Sequence, residues 1–176
     1  MSSKRTLGLL VVLALAGSGL ALAFGFTLIT RVLAAWADVD STSITIADFT
    51  LPAGYTKAYV VDLGDVQAIG YDGADGRSHI VWLQGPFALG ARGRDLRVAT
   101  PQAVGSELTL IEVRPLTVRG QAATLSLAEG VSGDGTPFRE ATVAFEGRGG
   151  PALLVVTGPA VTWDAAGFDA LVESIR

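Results

Sequence analysis

The 176-residue chain contains no cysteine and only one histidine, His79. Without cysteine it can form no disulfide, no thiol nucleophile and no cysteine-ligated zinc or iron–sulfur site. A single histidine leaves no multi-histidine metal site, and we interpret His79 as a satisfied or surface-facing residue. The sequence has no Gly-x-Ser-x-Gly, Walker A, Gly-x-Gly-x-x-Gly or His-Glu-x-x-His motif. We therefore expect no catalytic residue, no cofactor site and no metal ligand, and we interpret the protein as a non-enzyme.

Basic residues are also scarce in most of the chain. All 17 acidic residues lie at or after Asp38, where only ten of the 13 basic residues lie. Nucleic-acid binding needs clustered Lys and Arg to meet the phosphates. The acidic balance therefore argues against a nucleic-acid partner.

A long uncharged segment, Thr6 to Thr30, follows Lys4 and Arg5 and precedes Arg31. As a helix its 25 residues would extend roughly 37 Å, more than the ~30 Å hydrocarbon core of a bilayer. We predict a cytoplasmic tip and transmembrane anchor over 1–37, a polar linker over 38–43 and one domain over 44–176. The anchor would bind membrane lipid directly.

The alternative for this segment is a cleaved signal peptide, with Ala21-Leu22-Ala23 or Ala35-Trp36-Ala37 as a cleavage site. Signal peptides have a shorter apolar region, of about 7 to 15 residues, so we favour the anchor. The positive N-terminal flank predicts a cytoplasmic N-terminus. The domain would then lie in the periplasm or outside the cell, attached to the cytoplasmic (inner) membrane by a single pass.

Three small residues, Gly17, Ala21 and Gly25, recur every four positions in this segment. On a helix they form one stripe that lets a neighbouring helix approach closely. We interpret the stripe as a helix-packing interface with other membrane protein subunits. The alternative is that small residues are simply common in membrane helices.

The rest of the sequence alternates short apolar runs with glycine-rich turns, which is typical of hairpin-linked strands. The turns are Asp72-Gly73-Ala74-Asp75-Gly76 and Ser132-Gly133-Asp134-Gly135. A continuous apolar run, Leu153 to Val156, predicts a strand covered on both faces. The strand candidates are 43–49, 59–62, 66–71, 78–84, 107–118, 122–128, 139–146 and 152–157.

The C-terminal tail has the period of a helix. Phe168, Leu171, Val172 and Ile175 are spaced by three and four residues, and Thr162 or Asp164 can cap the N-terminus. We expect this helix to pack on the strand 152–156, and a second helix between Pro86 and Thr100. The fold class is therefore α+β, with an N-terminal transmembrane helix, one antiparallel sheet and a packed C-terminal helix.

Two further features repeat or cluster in the domain. The stretch from Tyr71 to Pro86 resembles the stretch from Phe145 to Pro159, since each reads as a strand, a turn, an apolar strand and a Gly-Pro stop. Arg92, Arg94 and Arg97 form the single basic cluster. They could contact an anionic partner, a lipid head group or the domain's own carboxylates.

The closing run Leu153 to Pro159, followed by Trp163, Phe168 and Leu171 to Ile175, resembles the last strand and helix of PsbP/Mog1-like domains. The run Phe49 to Tyr55 is similar to the extended Leu-Pro-x-Gly-aromatic entry of such domains. Together these motifs cover about a quarter of the chain. The resemblance implies a non-catalytic binding or assembly factor, as lumenal subunits of photosynthetic complexes are, and it carries over no functional residue.

Our leading functional hypothesis is an accessory or assembly subunit of a larger membrane protein complex. The alternative is a membrane-tethered envelope binding module for a small molecule, lipid or glycan, with a pocket between sheet and helix. A third hypothesis, an envelope hydrolase, would need a carboxylate pair such as Asp62 with Asp65 or Glu107 with Glu112.

Overall fold

A computed structural model describes residues 46–62, 64–86 and 107–176. These residues form seven strands and a C-terminal helix, which confirms the α+β prediction. The strands are β1 (Tyr55–Asp62), β2 (Gln67–Gly73), β3 (His79–Gln84), β4 (Thr109–Val118), β5 (Gln121–Val131), β6 (Pro137–Gly147) and β7 (Gly150–Pro159). A 3₁₀ turn, Ala160–Thr162, leads into α1 (Ala165–Glu173).

The seven strands form one sheet in the order β1-β2-β3-β7-β6-β5-β4, and every neighbouring pair is antiparallel. The sheet consists of two blocks, β1-β2-β3 and β4-β5-β6-β7, that join where β3 pairs with β7. The two similar stretches are the hairpins β2–β3 and β6–β7, so the resemblance between them reflects a shared local structure. Both predicted glycine-rich turns connect paired strands, β2 to β3 and β5 to β6.

One face of the sheet, the helix face, packs on α1. Phe168, Leu171, Val172 and Ile175 are buried, as their spacing predicted, and belong to the same core cluster as Leu154 and Val156 of β7. Asp164 caps the helix, because its Oδ1 atom accepts a hydrogen bond of 2.9 Å from the Gly167 N–H. Thr162, the other cap candidate, lies in the 3₁₀ turn.

Trp82 is the centre of the helix-face core and is fully buried. Phe49 stacks on its ring at a centroid distance of 4.3 Å, and Phe145 contacts it edge-on at 5.9 Å. Ring pairs of this kind stabilise a core beyond the area they bury. Residues before β1 thus form part of the core.

The predicted strand 43–49 is wrong for its described part, since residues 46–49 are not in a strand. The Ile46 carbonyl accepts from the Arg148 N–H, and Asp48 exchanges two backbone hydrogen bonds with Arg176. Arg148 also forms an ion pair with Asp48. The segment is extended, but its hydrogen bonds tie it to the β6–β7 turn and to the C-terminus instead of to a strand.

The other strand boundaries agree with the prediction or differ from it by up to four residues. The largest difference is at β1, which begins at Tyr55 where we predicted Tyr59. A bulge between Lys57 and Tyr59 shifts the register there and breaks the alternation that would mark the strand. Near the C-terminus, β7 includes Gly158 and Pro159, where the sequence predicts that the strand stops.

The opposite side of the sheet is the second face. Its apolar cluster contains Tyr59, Val61, Ala68, Val81, Leu83, Leu153 and Val155. Consecutive residues of β7 alternate between the two faces, and all four from Leu153 to Val156 are buried. The prediction of a strand covered on both faces is therefore confirmed.

Within residues 46–62, 64–86 and 107–176, no helix is both long and apolar enough to cross a membrane. The predicted anchor and linker, and the predicted second helix beyond Pro86, lie outside these residues.

Candidate functional site

Polar side chains form a line across the second face. The register places Asp72 opposite His79, His79 opposite Thr157, and Thr157 opposite Glu140. We call these four residues, on β2, β3, β7 and β6, the polar row. Directly opposite residues on one face have Cβ atoms about 4.5–5.5 Å apart, so their side chains can interact.

The polar row is largely shielded from solvent. His79 and Glu140 are each 6% exposed, and Thr157 is 0% exposed. Polar groups so placed are costly unless they are hydrogen-bonded or paired. The polar row therefore contains most of the buried polar side chains of the described residues.

The first pair of the row is an ion pair or hydrogen bond. Nδ1 of His79 lies 2.9 Å from Oδ1 of Asp72. The carboxylate thereby fixes the orientation of the ring, as it does for a histidine that acts as a base. Nε2 of His79 and Oγ1 of Thr157 are buried and have no hydrogen-bond partner among the described residues.

Tyr59 adds a hydroxyl beside the row. Its ring lies against Gly70, where a Cβ would be 2.1 Å from the Tyr59 Cε1 atom. Burial raises the pKa of the Tyr59 hydroxyl, and the Asp72 carboxylate raises it further. Its oxygen is another buried atom without a described partner, and it stays protonated at neutral pH.

A separate cleft opens on the helix face, between α1 and the sheet. It measures about 140 Å³, and Tyr55, Ser78, Trp163 and Phe168 are among the residues that line it. Burial raises the pKa of Tyr55 despite a hydrogen bond with Ser78. Sites for drug-sized ligands typically enclose about 300–1,000 Å³. The cleft lies where the binding-module hypothesis places a pocket, but it would admit only a very small molecule.

Exposed apolar residues gather at one corner of the sheet. Leu110, Ile111 and Val113 on β4 are 44%, 46% and 55% exposed, and Val131 on the adjoining end of β5 is 56% exposed. We call these four residues the corner patch. β4 is an edge strand, so its outer side pairs with no other strand among the described residues.

The edge at β4 is only partly protected. Arg114 forms ion pairs with Glu112 and with Asp169 of α1, which ties the strand to the helix. Pro115, in the middle of the strand, cannot donate a hydrogen bond to an added strand. The part of β4 before Arg114 carries three exposed apolar side chains, Leu110, Ile111 and Val113, and contains no proline. An exposed apolar edge of this kind is a template for pairing with another chain.

The remaining residues that the sequence singled out either lie outside the described residues or are not brought together into a site. The stripe Gly17, Ala21 and Gly25 and the cluster Arg92, Arg94 and Arg97 lie outside the described residues. His79 is buried and not surface-facing, and among the described residues its Nδ1 atom has a partner, Asp72, whereas its Nε2 atom has none. The carboxylates considered for a hydrolase are all exposed: Asp62, Asp65, Glu107 and Glu112. Within the described ranges, no group of three or more His, Asp or Glu side chains could hold a metal ion.

Neither the polar row nor the corner patch was predicted from the sequence.

Comparison of the chain with protein-family models and with curated proteins gives no match. The resemblance to PsbP/Mog1-like domains stays a prediction.

Proposed function

We propose that the protein is a non-catalytic accessory or assembly subunit of a membrane protein complex, and that it docks through the corner patch. A single N-terminal transmembrane helix would hold it in the cytoplasmic membrane, with the domain outside the cytoplasm. The observation that carries the proposal is the exposure of Leu110, Ile111 and Val113 on an edge strand. Exposed apolar side chains beside unpaired backbone groups favour the addition of a partner's strand.

The partner segment would be short, extended and apolar. Pro115 interrupts the row of backbone donors, so an added strand can pair only with the first residues of β4. Side chains of the partner would then contact Leu110 and Val113. We expect this segment to come from the extracytoplasmic part of another membrane subunit, whose helix could pack on the stripe Gly17, Ala21 and Gly25.

The first test is gentle detergent extraction of the tagged protein, followed by native mass measurement and identification of co-purifying proteins. We expect a stoichiometric membrane partner with the native chain and its loss with the double variant Ile111→Asp/Val113→Asp. The matched control is Val161→Asp, because Val161 is 86% exposed and lies in the 3₁₀ turn, outside the corner patch. Circular dichroism would verify that each variant folds.

A lone monomer from the native chain would contradict the proposal. So would equal loss of the partner in the patch variant and in the Val161→Asp control. Substitution of Gly17, Ala21 and Gly25 by leucine tests the helix stripe separately. If the partner is retained there but lost in the patch variant, docking depends on the domain alone.

Membrane topology can be tested by cysteine labelling without background reaction, because the chain has no cysteine of its own. Single-cysteine variants Ser3→Cys and Val161→Cys would be treated with a membrane-impermeant maleimide on intact spheroplasts. We expect labelling at position 161 only, and labelling at position 3 only after lysis. Labelling of both positions without lysis would contradict a cytoplasmic N-terminus.

The alternative function, a tethered binding module, is supported by one observation. Nε2 of His79 and Oγ1 of Thr157 are buried polar atoms of the polar row that have no partner among the described residues. A ligand there would satisfy these atoms. A mass adduct that survives native mass measurement of the native chain, and that is lost in Thr157→Val, would favour this function.

A further inference from the structure

Aromatic side chains line the cleft between α1 and the sheet. Tyr55 at the start of β1, Trp163 just before α1 and Phe168 in the first turn of α1 all contribute to it. The rings of Trp163 and Phe168 have centroids 5.9 Å apart and planes tilted by 37°. Tyr55 and Trp163 are half-buried, so part of each residue is open to solvent. The face of an aromatic ring attracts a cation, most strongly for tryptophan.

A glycine keeps space open on the floor of this cleft. Gly158, near the end of β7, lies between Ser78 and Trp163. A Cβ at Gly158 would be 3.1 Å from Oγ of Ser78 and 3.9 Å from Cε3 of Trp163. A side chain at this position would therefore take up part of the space between the two walls.

The charge at the cleft is negative. Asp164 lines it, and its Oδ1 atom accepts the capping hydrogen bond from the Gly167 N–H. Burial raises the pKa of the Tyr55 hydroxyl, and the carboxylates of Asp75 and Asp164 raise it further, so both lie close enough to act on this group. Among the described residues, no lysine or arginine lines the cleft.

The helix N-terminus does not reverse this balance. It carries about half of an elementary positive charge, which the full charge of its cap, Asp164, outweighs. The cleft therefore favours a cation over an anion. A bound metal ion would need several ligands, and the described ranges contain no group of three or more His, Asp or Glu side chains that could hold one. An organic cation fits the aromatic walls better.

The volume of the cleft sets the size of that cation. The cleft measures about 140 Å³, which is several times the roughly 30 Å³ that one water molecule takes up in the liquid. A group of about five non-hydrogen atoms fits such a space. An alkylammonium group of this size combines a positive charge with apolar carbon atoms, which is the chemistry that aromatic cages recognise.

We propose that this cleft binds the alkylammonium group of a small organic cation, with the rings of Tyr55 and Trp163 as its walls and the carboxylate of Asp164 as its counter-charge. The cleft is built from β1, β3, β7 and α1, whereas the corner patch lies on β4 and β5. The proposal is therefore independent of docking through the corner patch.

Fluorine NMR of the full-length protein, in a detergent without an ammonium group, measures binding at the cleft itself. The three tryptophans would be labelled as fluorotryptophan, and Trp163→Phe would identify the resonance of Trp163. We expect choline, added at constant ionic strength, to shift this resonance saturably with a dissociation constant in the millimolar range. The resonance of Trp82, which is fully buried, should not shift. The neutral isostere of choline, with carbon in place of the ammonium nitrogen, should shift neither.

Three variants test the three parts of the site. Asp164→Asn removes the counter-charge but keeps a good helix cap, Tyr55→Leu removes one wall, and Gly158→Ala narrows the floor. We expect each to weaken choline binding at least about fivefold, and Tyr55→Phe, which keeps the ring, to retain most of the affinity. The matched control is Asp65→Asn, because Asp65 is exposed and lies between β1 and β2, at the far end of β1 from Tyr55. It should leave the affinity unchanged. Circular dichroism would verify that each variant folds.

An unshifted Trp163 resonance at saturating choline would overturn the proposal. So would an equal shift with the neutral isostere, because apolar uptake alone would then explain it. Equal weakening in Asp164→Asn and Asp65→Asn would overturn it as well, since the effect would then come from the overall charge of the domain.

Glycerophosphocholine distinguishes two sources of the same group, because it is the head group of a common lipid. A shift of the Trp163 resonance equal to that with choline would support a site that accepts a lipid head group. A shift with choline alone would support a site for a free cation.

Discussion

The phenol ring of Tyr59 lies directly over Gly70, its cross-strand neighbour. A Cβ on Gly70 would lie 2.1 Å from Cε1 and 2.3 Å from Cζ of that ring. Only glycine leaves room for the ring at this point. This contact allows a bulky aromatic residue to lie flat on the second face, with its hydroxyl near Asp72.

Gly70→Ala should therefore destabilise the domain. The methyl group overlaps a buried ring, and overpacking of this kind costs about 1–3 kcal/mol. The matched control is Gly133→Ala, since a Cβ at Gly133 would have no neighbour within 4 Å and should change stability by less than about 0.5 kcal/mol. Urea unfolding followed by circular dichroism measures both, and equal midpoints for the two variants would contradict the argument.

Asp72→Ala tests the first pair of the polar row. It leaves the buried Nδ1 atom of His79 without its acceptor, which should cost about 1–3 kcal/mol. Asp65→Ala, which removes an exposed aspartate, should be close to neutral. A cycle with His79→Ala isolates the pair, and we expect the double variant to be more stable than the sum of the two single effects predicts. Strict additivity would show that the contact contributes nothing to stability.

The hairpins could be predicted from the sequence because their determinants are local. Asp75 accepts hydrogen bonds from the N–H groups of Arg77 and Ser78 inside the β2–β3 turn, and Asp134 plays the same part with Thr136 in the β5–β6 turn. The side chains that make these turns lie within four residues of each other. Glycine and aspartate in such a run therefore predict the reversal without knowledge of the rest of the fold.

The polar row could not be predicted, since its members are brought together by register between distant strands. Asp72 and His79 share the β2–β3 hairpin, and Glu140 and Thr157 share the β6–β7 hairpin, so pairing outward from each turn would have placed the members of each pair opposite each other. The two pairs meet only through the contact between β3 and β7, which places His79 opposite Thr157, 78 positions along the chain. The order of the two blocks in the sheet decides that contact, and nothing in the local pattern of either strand specifies it.

The chain's three tyrosines, Tyr55, Tyr59 and Tyr71, give a prediction about alkaline pH. Burial raises the pKa of all three hydroxyls above the ordinary value of 10.0. A raised pKa means that each hydroxyl holds its proton more tightly in the folded state than in the unfolded chain. The stability that these groups contribute is therefore fully present below about pH 10. It is lost as pH rises further, because the tyrosines of the unfolded chain ionise first.

We therefore expect the tyrosinate absorbance of the folded protein to appear at higher pH than that of the chain in urea. Tyr59 should ionise last, since it is the most deeply buried and lies beside Asp72. Tyr59→Phe should remove the largest part of the stability loss between about pH 9 and pH 12, whereas Tyr71→Phe, at a half-buried position, should remove less. If the native protein titrates like the unfolded chain, the hydroxyl of Tyr59 is in contact with water and the second face is open at that position.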